Sequence, residues 1–162
     1  PSCITCPVQS QCAAYQRSVV EHFPVKSKKI KKKDRFFNYL VLQDAHQVII
    51  QQRSQKDIWQ GLFEFPKIES FQALLSPAEL LDQHPMFLKN IKMNPEEHDI
   101  VVSNTYQQVL THQKIKAHFI IVTFDSLPNM DLDKNYTLIK RTDIPQYPFP
   151  KIINNFLKDC TL

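Results

Sequence analysis

The 162-residue sequence is poor in several things. It has one glycine, one tryptophan, three methionines and four cysteines. No apolar run approaches the ~20 residues that cross a bilayer, and no secretory-type apolar segment stands out, so no membrane association is expected. There is no internal repeat, and no low-complexity tract beyond one cluster of lysines. Clustered glutamates are also missing. Glu96-Glu97 is the only adjacent acidic pair and has no arginine beside it, so the R-E-x-x-E-E grouping that holds divalent metal against a pyrophosphate does not occur. Three of the four cysteines fall within the first 12 residues. Clustering of that kind argues for metal binding in a reducing compartment, hence a cytoplasmic protein, and against a disulfide framework.

What is present is an ordinary globular composition, 43% hydrophobic and 22% charged. The length suits one domain of about 130 residues with appendages. The net charge of +4 is local. Lys26, Lys28, Lys29, Lys31, Lys32, Lys33 and Arg35 stand against Asp34 alone, and the remainder carries 13 basic and 15 acidic residues. Such a run neutralises phosphates by counterion release without reading bases, or else serves as a solvated, self-repelling linker. Lys28, Lys29, Lys31, Lys32 and Lys33 are the candidate DNA-backbone contacts.

The first stretch reads P-S-C-I-T-C-P-V-Q-S-Q-C, which sets Cys3, Cys6 and Cys12 as C-x2-C-x5-C. Three close thiolates suit an iron–sulfur cluster or zinc, and either normally takes four protein ligands. Cys160 is far away and the chain opens on Pro1, so a fourth ligand is expected upstream in a longer protein. The organisation expected is a ligand loop at 1–12, a basic connector at 13–33, and a compact domain at 34–162.

Within that domain the run 36–42 reads as a buried strand, Asp44-Ala45-His46 as a turn, and 47–53 as its hairpin partner. Gly61 sits between bulky apolar residues, which points to a positive φ or a close backbone approach. Ser76-Pro77-Ala78-Glu79 has the form of a capping box, starting a short helix that His84-Pro85 interrupts. A strand begins at Ile100 and is expected to run to Leu110. Another spans 115–124, with Ala117, Phe119 and Ile121 alternating against His118, Ile120 and Val122. Tyr136–Ile139 is a further strand, and 150–159 a helix with Ile152, Ile153, Phe156 and Leu157 on one face. The expectation is an α+β domain, a mixed or antiparallel sheet flanked by two or three helices.

Three separated motifs carry a family resemblance. The cysteine loop resembles the last three ligands of the C-x6-C-x2-C-x5-C [4Fe–4S] loop of helix–hairpin–helix DNA glycosylases. Arg53, Trp59 and Gly61-Leu62-Phe63-Glu64-Phe65-Pro66 are similar to the R…W-x-G-L-[WF]-E-F-P segment of MutY-type adenine DNA glycosylases. Gln108-Val109-Leu110-Thr111-His112 resembles that family's H-x-[FL]-[ST]-H loop. The resemblance implies a Nudix-like domain joined by a connector to an upstream catalytic domain of the same chain. The parent would remove adenine opposite 8-oxoguanine in double-stranded DNA, acting as a monomer. It further implies a [4Fe–4S] cluster in that parent, with Cys3, Cys6 and Cys12 as three ligands and no intact cluster in this chain. Nudix hydrolysis is not expected. Counted from Gly61, the first glutamate of the G-x5-E-x7-R-E-U-x-E-E-x-G-U box falls on Lys67. The alternative function is an interaction module with a cysteine zinc site and a basic tether.

The recognition loop has a chemical logic. Guanine presents acceptors at N7 and O6 in the major groove. Oxidation at C8 puts a hydrogen on N7 and an oxygen on C8, and a hydroxyl can accept from the first or donate to the second by rotating. Thr111 matches the family's lesion-contacting Ser or Thr. Leu110 would be its apolar neighbour and His112 a second polar contact or a brace. Gln108 stands where the family has its first His, and Leu110 where Phe is commoner. No catalytic residue is expected in this chain. Trp59, Phe63, Phe65 and Glu64 read as structural, and Arg53 is open between a carboxylate partner and a phosphate.

Overall fold

A computed structural model describes residues 1–25, 31–71, 73–76, 78–79, 99–127 and 135–160. It contains two compact units, Pro1–Lys31 and Lys32–Leu162. The first is a chain of short turns around α1 (Ala13–Gln16), with 3-10 turns at Cys3–Thr5, Gln9–Gln11 and Val20–His22. None of its described residues is fully buried.

The second unit is built on two 11-residue strands, β1 (Lys33–Gln43) and β7 (Gln113–Thr123), which pair in parallel from Lys33↔Gln113 to Gln43↔Thr123. Both are apolar on both faces in their later halves, the pattern of strands covered on each side. β2 (Gln47–Gln52) follows β1 through a turn in which the Asp44 carboxylate accepts the His46 and Gln47 N–H groups at 2.8 and 2.7 Å. β3 (Phe63–Glu64) and β8 (Tyr136–Lys140) pair with β2, and β4 (Lys67–Ser70) pairs with β1. β5 (Asp99–Val102) and β6 (Tyr106–Val109) both pair antiparallel with β7. The sheet is therefore mixed, one of the two forms expected for the α+β domain.

The run expected as one strand from Ile100 to Leu110 is two strands. Residues 103–105 leave the ladder, and Ser103 spans the gap. Its N–H donates to the Phe119 carbonyl and its Oγ accepts the Phe119 N–H, both at 2.9 Å. A side-chain oxygen replaces a missing backbone acceptor, so no buried ladder group is orphaned. β3 and β4 are too short to show a period in the sequence. Gly61 has φ +83 with no atom within 4 Å of an added Cβ, so its backbone angle, rather than space, selects glycine there.

The core occupies both faces. One face buries Phe37, Tyr39, Val41, Phe65, Ala117 and Phe119 against α2 (Lys151–Asp159), which presents Ile152, Ile153 and Phe156. The other buries Leu40, Leu42, Ile49, Ile120, Val122 and Phe124. The capping box forms, with the Ser76 N–H on Glu79 Oε2 at 2.8 Å and the Glu79 N–H on Ser76 Oγ at 3.3 Å. The rest of the short helix expected after it, up to the interruption at His84-Pro85, lies outside the described residues.

Candidate functional site

β6 and β7 form a tight hairpin whose turn is residues 110–113, closed by the Leu110 N–H on the Gln113 carbonyl at 2.8 Å. Thr111 and His112 occupy the tip and are exposed. Strand alternation decides the rest of the motif. Tyr106, Gln108 and Leu110 form the inward row, Gln107 and Val109 the outward one. Leu110 is partly buried against the core. Gln108 is half-buried, and its Oε1 is shut away without a hydrogen-bond partner among the described residues. Tyr106 anchors the base of the hairpin. Its ring meets Phe119 and Phe156 edge-on at 5.5 and 6.0 Å, and its hydroxyl donates to Asp159 Oδ2 at 3.0 Å. Burial, together with that carboxylate, pushes the Tyr106 phenol up to about 12, so it remains a donor at neutral pH.

The start of β1 braces the tip. The Lys33 N–H donates to the His112 carbonyl at 3.0 Å, and Lys33 pairs in register with Gln113. The basic run thus ends against the hairpin. Lys32 and Lys33 belong to this unit, Lys31 closes the first unit, and Lys28 and Lys29 lie outside the described residues.

Behind the hairpin lies a partly buried charge network. Arg53 Nη1 contacts Glu64 Oε2 at 2.6 Å with both side chains 5% exposed. Arg53 also reaches Asp57 at 3.1 Å and donates from Nε to the Ile58 carbonyl at 3.0 Å. Arg35 holds Asp57 at 2.7 Å and Glu69 at 2.6 Å, and donates from Nη1 to Gln113 Oε1 at 3.1 Å. Lys67 completes the set 3.7 Å from Glu64, with its Nζ 4.0 Å from the Phe37 ring centroid. Three cations meet three carboxylates, and through Gln113 the network reaches the residue that closes the hairpin turn. A cleft of about 360 Å³ borders it, lined by Gln51, Arg53, Glu64, Lys67, Glu69 and Tyr136 among others. Glu64 and Glu69 are both taken up by arginine, so this arrangement serves as a neutral brace. Arg53 pairs with carboxylates, which decides the choice the sequence left open.

Sequence reasoning counted Arg35 with the solvated lysines. Counting back by twos from Val41, Tyr39 and Phe37 puts it on the inward row, and that signal was available in the sequence.

The network has an acid limb. Hydrogen bonds from Arg35 hold the Asp57 carboxyl at about 2. A carboxyl depressed on folding adds stability above its unfolded value near 3.9, and that contribution is lost as pH falls through the folded value. Asp57 is 28% exposed, so water screens part of this. Urea unfolding should therefore lose roughly 1–2 kcal/mol through Asp57 between about pH 4 and pH 2. Asp57→Asn should flatten that part of the curve; an unchanged acid limb would remove Asp57 from the account.

Cys3, Cys6 and Cys12 are half-buried in the first unit, and short turns link Cys6 N–H to the Cys3 carbonyl at 3.1 Å and Cys12 N–H to the Gln9 carbonyl at 3.2 Å. Among the described residues no three His, Cys, Asp or Glu side chains come together to hold a metal ion.

The NUDIX domain family model matches residues 38–159. An adenine DNA glycosylase from Buchnera aphidicola subsp. Schizaphis graminum is 27% identical over 147 residues, which is 89% of this chain and 37% of that protein. The chain therefore spans little more than a third of the length of that relative. Among solved structures, the C-terminal domain of mouse MUTYH, seen in complex with human PCNA, is similar at a TM-score of 0.58 and 12% identity, covering 76% of this chain and 85% of that one. The MutT protein of Methanosarcina mazei Go1 is similar at 0.54 and 12%, covering 80% and 94%. At these identities the likeness is one of fold. With the family model spanning the sheet from within β1 to the last residue of α2, this chain belongs to the NUDIX domain family.

Proposed function

We propose that this chain is the lesion-reading domain of an adenine DNA glycosylase, recognising 8-oxoguanine opposite adenine, while an upstream domain of the same protein carries out base removal. The observation that carries the reading is the tip of the β6–β7 hairpin. Thr111 presents an exposed hydroxyl on a turn fixed at both sides, by the Leu110–Gln113 closure and by Lys33. The tip residues match the family's loop in sequence, and the similarity to an adenine DNA glycosylase supports the same assignment.

The Thr111 hydroxyl accepts from N7–H or donates to O8 of the oxidised base, and plain guanine offers neither in the same place. His112 supplies a second polar group at the tip. Leu110, half-buried, sets the angle at which the turn leaves the sheet. Gln108 acts from within, packed beneath the turn. The basic run ending at Lys33 brings DNA phosphate to the loop without reading sequence. Duplex DNA is then the partner.

Thr111→Val keeps the shape and removes the hydroxyl. One neutral hydrogen bond is worth about 0.5–1.5 kcal/mol net. The ratio of affinities for 8-oxoguanine:adenine over guanine:adenine duplexes should fall by roughly 2- to 10-fold, with the guanine affinity little changed. An unaltered ratio would remove Thr111 from the site.

A further inference from the structure

We propose that Lys114 and Lys116, on the outward row of β7, hold the DNA phosphates that flank the hairpin tip; this rests on the lesion-reading role of that tip. Ladder register puts Lys114 beside Val109 and Asp34, and Lys116 beside Gln107 and Phe36. This outward row starts one rung behind the turn that carries Thr111. Its exposed members are Gln107, Val109, Lys32 and Asp34, with Val109 51% exposed.

Charge separates the two rows. On the inward side Arg35 and Arg53 are spent on Asp57, Glu64 and Glu69, which leaves Lys33 at the start of β1 as that row's exposed cation. The outward row carries Lys32, Lys114 and Lys116 against Asp34 alone. Lys116 is held in place, with its Nζ 5.1 Å from the Phe36 ring centroid and 3.9 Å from Asp34 Oδ2. A partly exposed pair 3.9 Å apart is worth little, so a phosphate can replace Asp34 at small cost. No ion pair holds Lys114 among the described residues. Two positions along a strand advance about 6.6 Å, close to the distance between neighbouring phosphates on one DNA strand. The row therefore presents two ammonium groups in step with a backbone, next to a tip built to meet a base edge. The partner is the sugar–phosphate backbone of the duplex being read.

Phosphate contacts position a protein and do not discriminate bases. The test is a salt titration of this chain and its Lys114→Gln/Lys116→Gln variant on 8-oxoguanine:adenine and guanine:adenine duplexes. Losing two phosphate contacts should lower the slope of log affinity against log salt by about 1.8, and affinity at 0.1 M salt by roughly 10- to 60-fold on both duplexes. The oxidised-to-plain ratio should stay as in the parent. Lys114→Arg/Lys116→Arg should keep the parental slope, and so should Lys140→Gln/Lys151→Gln, which removes the same charge from β8 and the start of α2. An unchanged slope in the Lys114→Gln/Lys116→Gln variant, a drop matched by the Lys140→Gln/Lys151→Gln control, or no binding of the parent chain at low salt would each overturn the proposal. Equal parental affinity for both duplexes, with the slope still falling, would support the phosphate contact and count against lesion reading alone.

Discussion

Arg53→Met should destabilise the Lys32–Leu162 unit by about 3–5 kcal/mol, the usual cost of stranding one half of a buried ion pair. The substitution leaves the Glu64 carboxylate 5% exposed, with Tyr39 at 3.3 Å, Gln51 at 3.2 Å and Lys67 at 3.7 Å as its remaining partners. It also releases Asp57 and the Ile58 carbonyl, which Arg53 ties to β2. Removing both charges is gentler, because a desolvated pair can be exchanged for apolar volume at little net cost. Arg53→Met/Glu64→Leu should therefore recover part of the loss, with a coupling on the order of 2 kcal/mol. Urea unfolding of the parent, both single variants and the double variant gives the cycle. A single-variant loss under about 1 kcal/mol with no coupling would mean that water already solvates the pair. The effect bears on the proposed function because the network continues through Asp57 and Arg35 to Gln113, whose carbonyl closes the β6–β7 turn.

Phe119→Ala should cost about 3–5 kcal/mol, a truncation that leaves a cavity its rigid neighbours cannot fill. Phe119 is fully buried, stacks on Phe156 at 3.8 Å and on Tyr39 at 5.0 Å, and meets Tyr106 and Phe65 edge-on. For a body of this size that loss should lower the melting temperature by roughly 10–20 °C. Phe119→Leu, which keeps most of the volume, should cost less. Tyr106 rests on Phe119, so hydrogen exchange in β6 should quicken more than exchange in β2. A melting temperature within a few degrees of the parent, with uniform exchange, would show that the aromatic stack does not support the hairpin.

The sequence made the long elements readable because their periods are long enough to count. β1, β7 and α2 carry alternating or 3.6-spaced apolar residues, and each forms near its expected bounds. The single glycine pointed to a positive φ, and Gly61 has one. β3 and β4 escaped notice because their ladders depend on distant partners in β2 and β1. The break at Ser103 was hidden for a related reason. A serine hydroxyl standing in for a backbone acceptor leaves no mark on hydrophobic pattern. The tip of the candidate site was legible as a motif, since Thr111 and His112 lie in a turn whose residues are local. Its supports were less so. The brace from Lys33 is a backbone bond between residues far apart in the chain, and the charge network unites Arg35, Arg53, Asp57, Glu64, Lys67 and Glu69 from four segments.

The measurement that bears most directly on the central claim is a binding titration of this chain against two duplexes, one holding 8-oxoguanine opposite adenine and one holding guanine there, each at low and moderate salt. The hairpin-tip account predicts tighter binding to the oxidised duplex at both salts, with a ratio that salt leaves nearly unchanged while both affinities fall. Equal affinities that weaken together as salt rises would contradict it, and would leave only the lysines touching DNA.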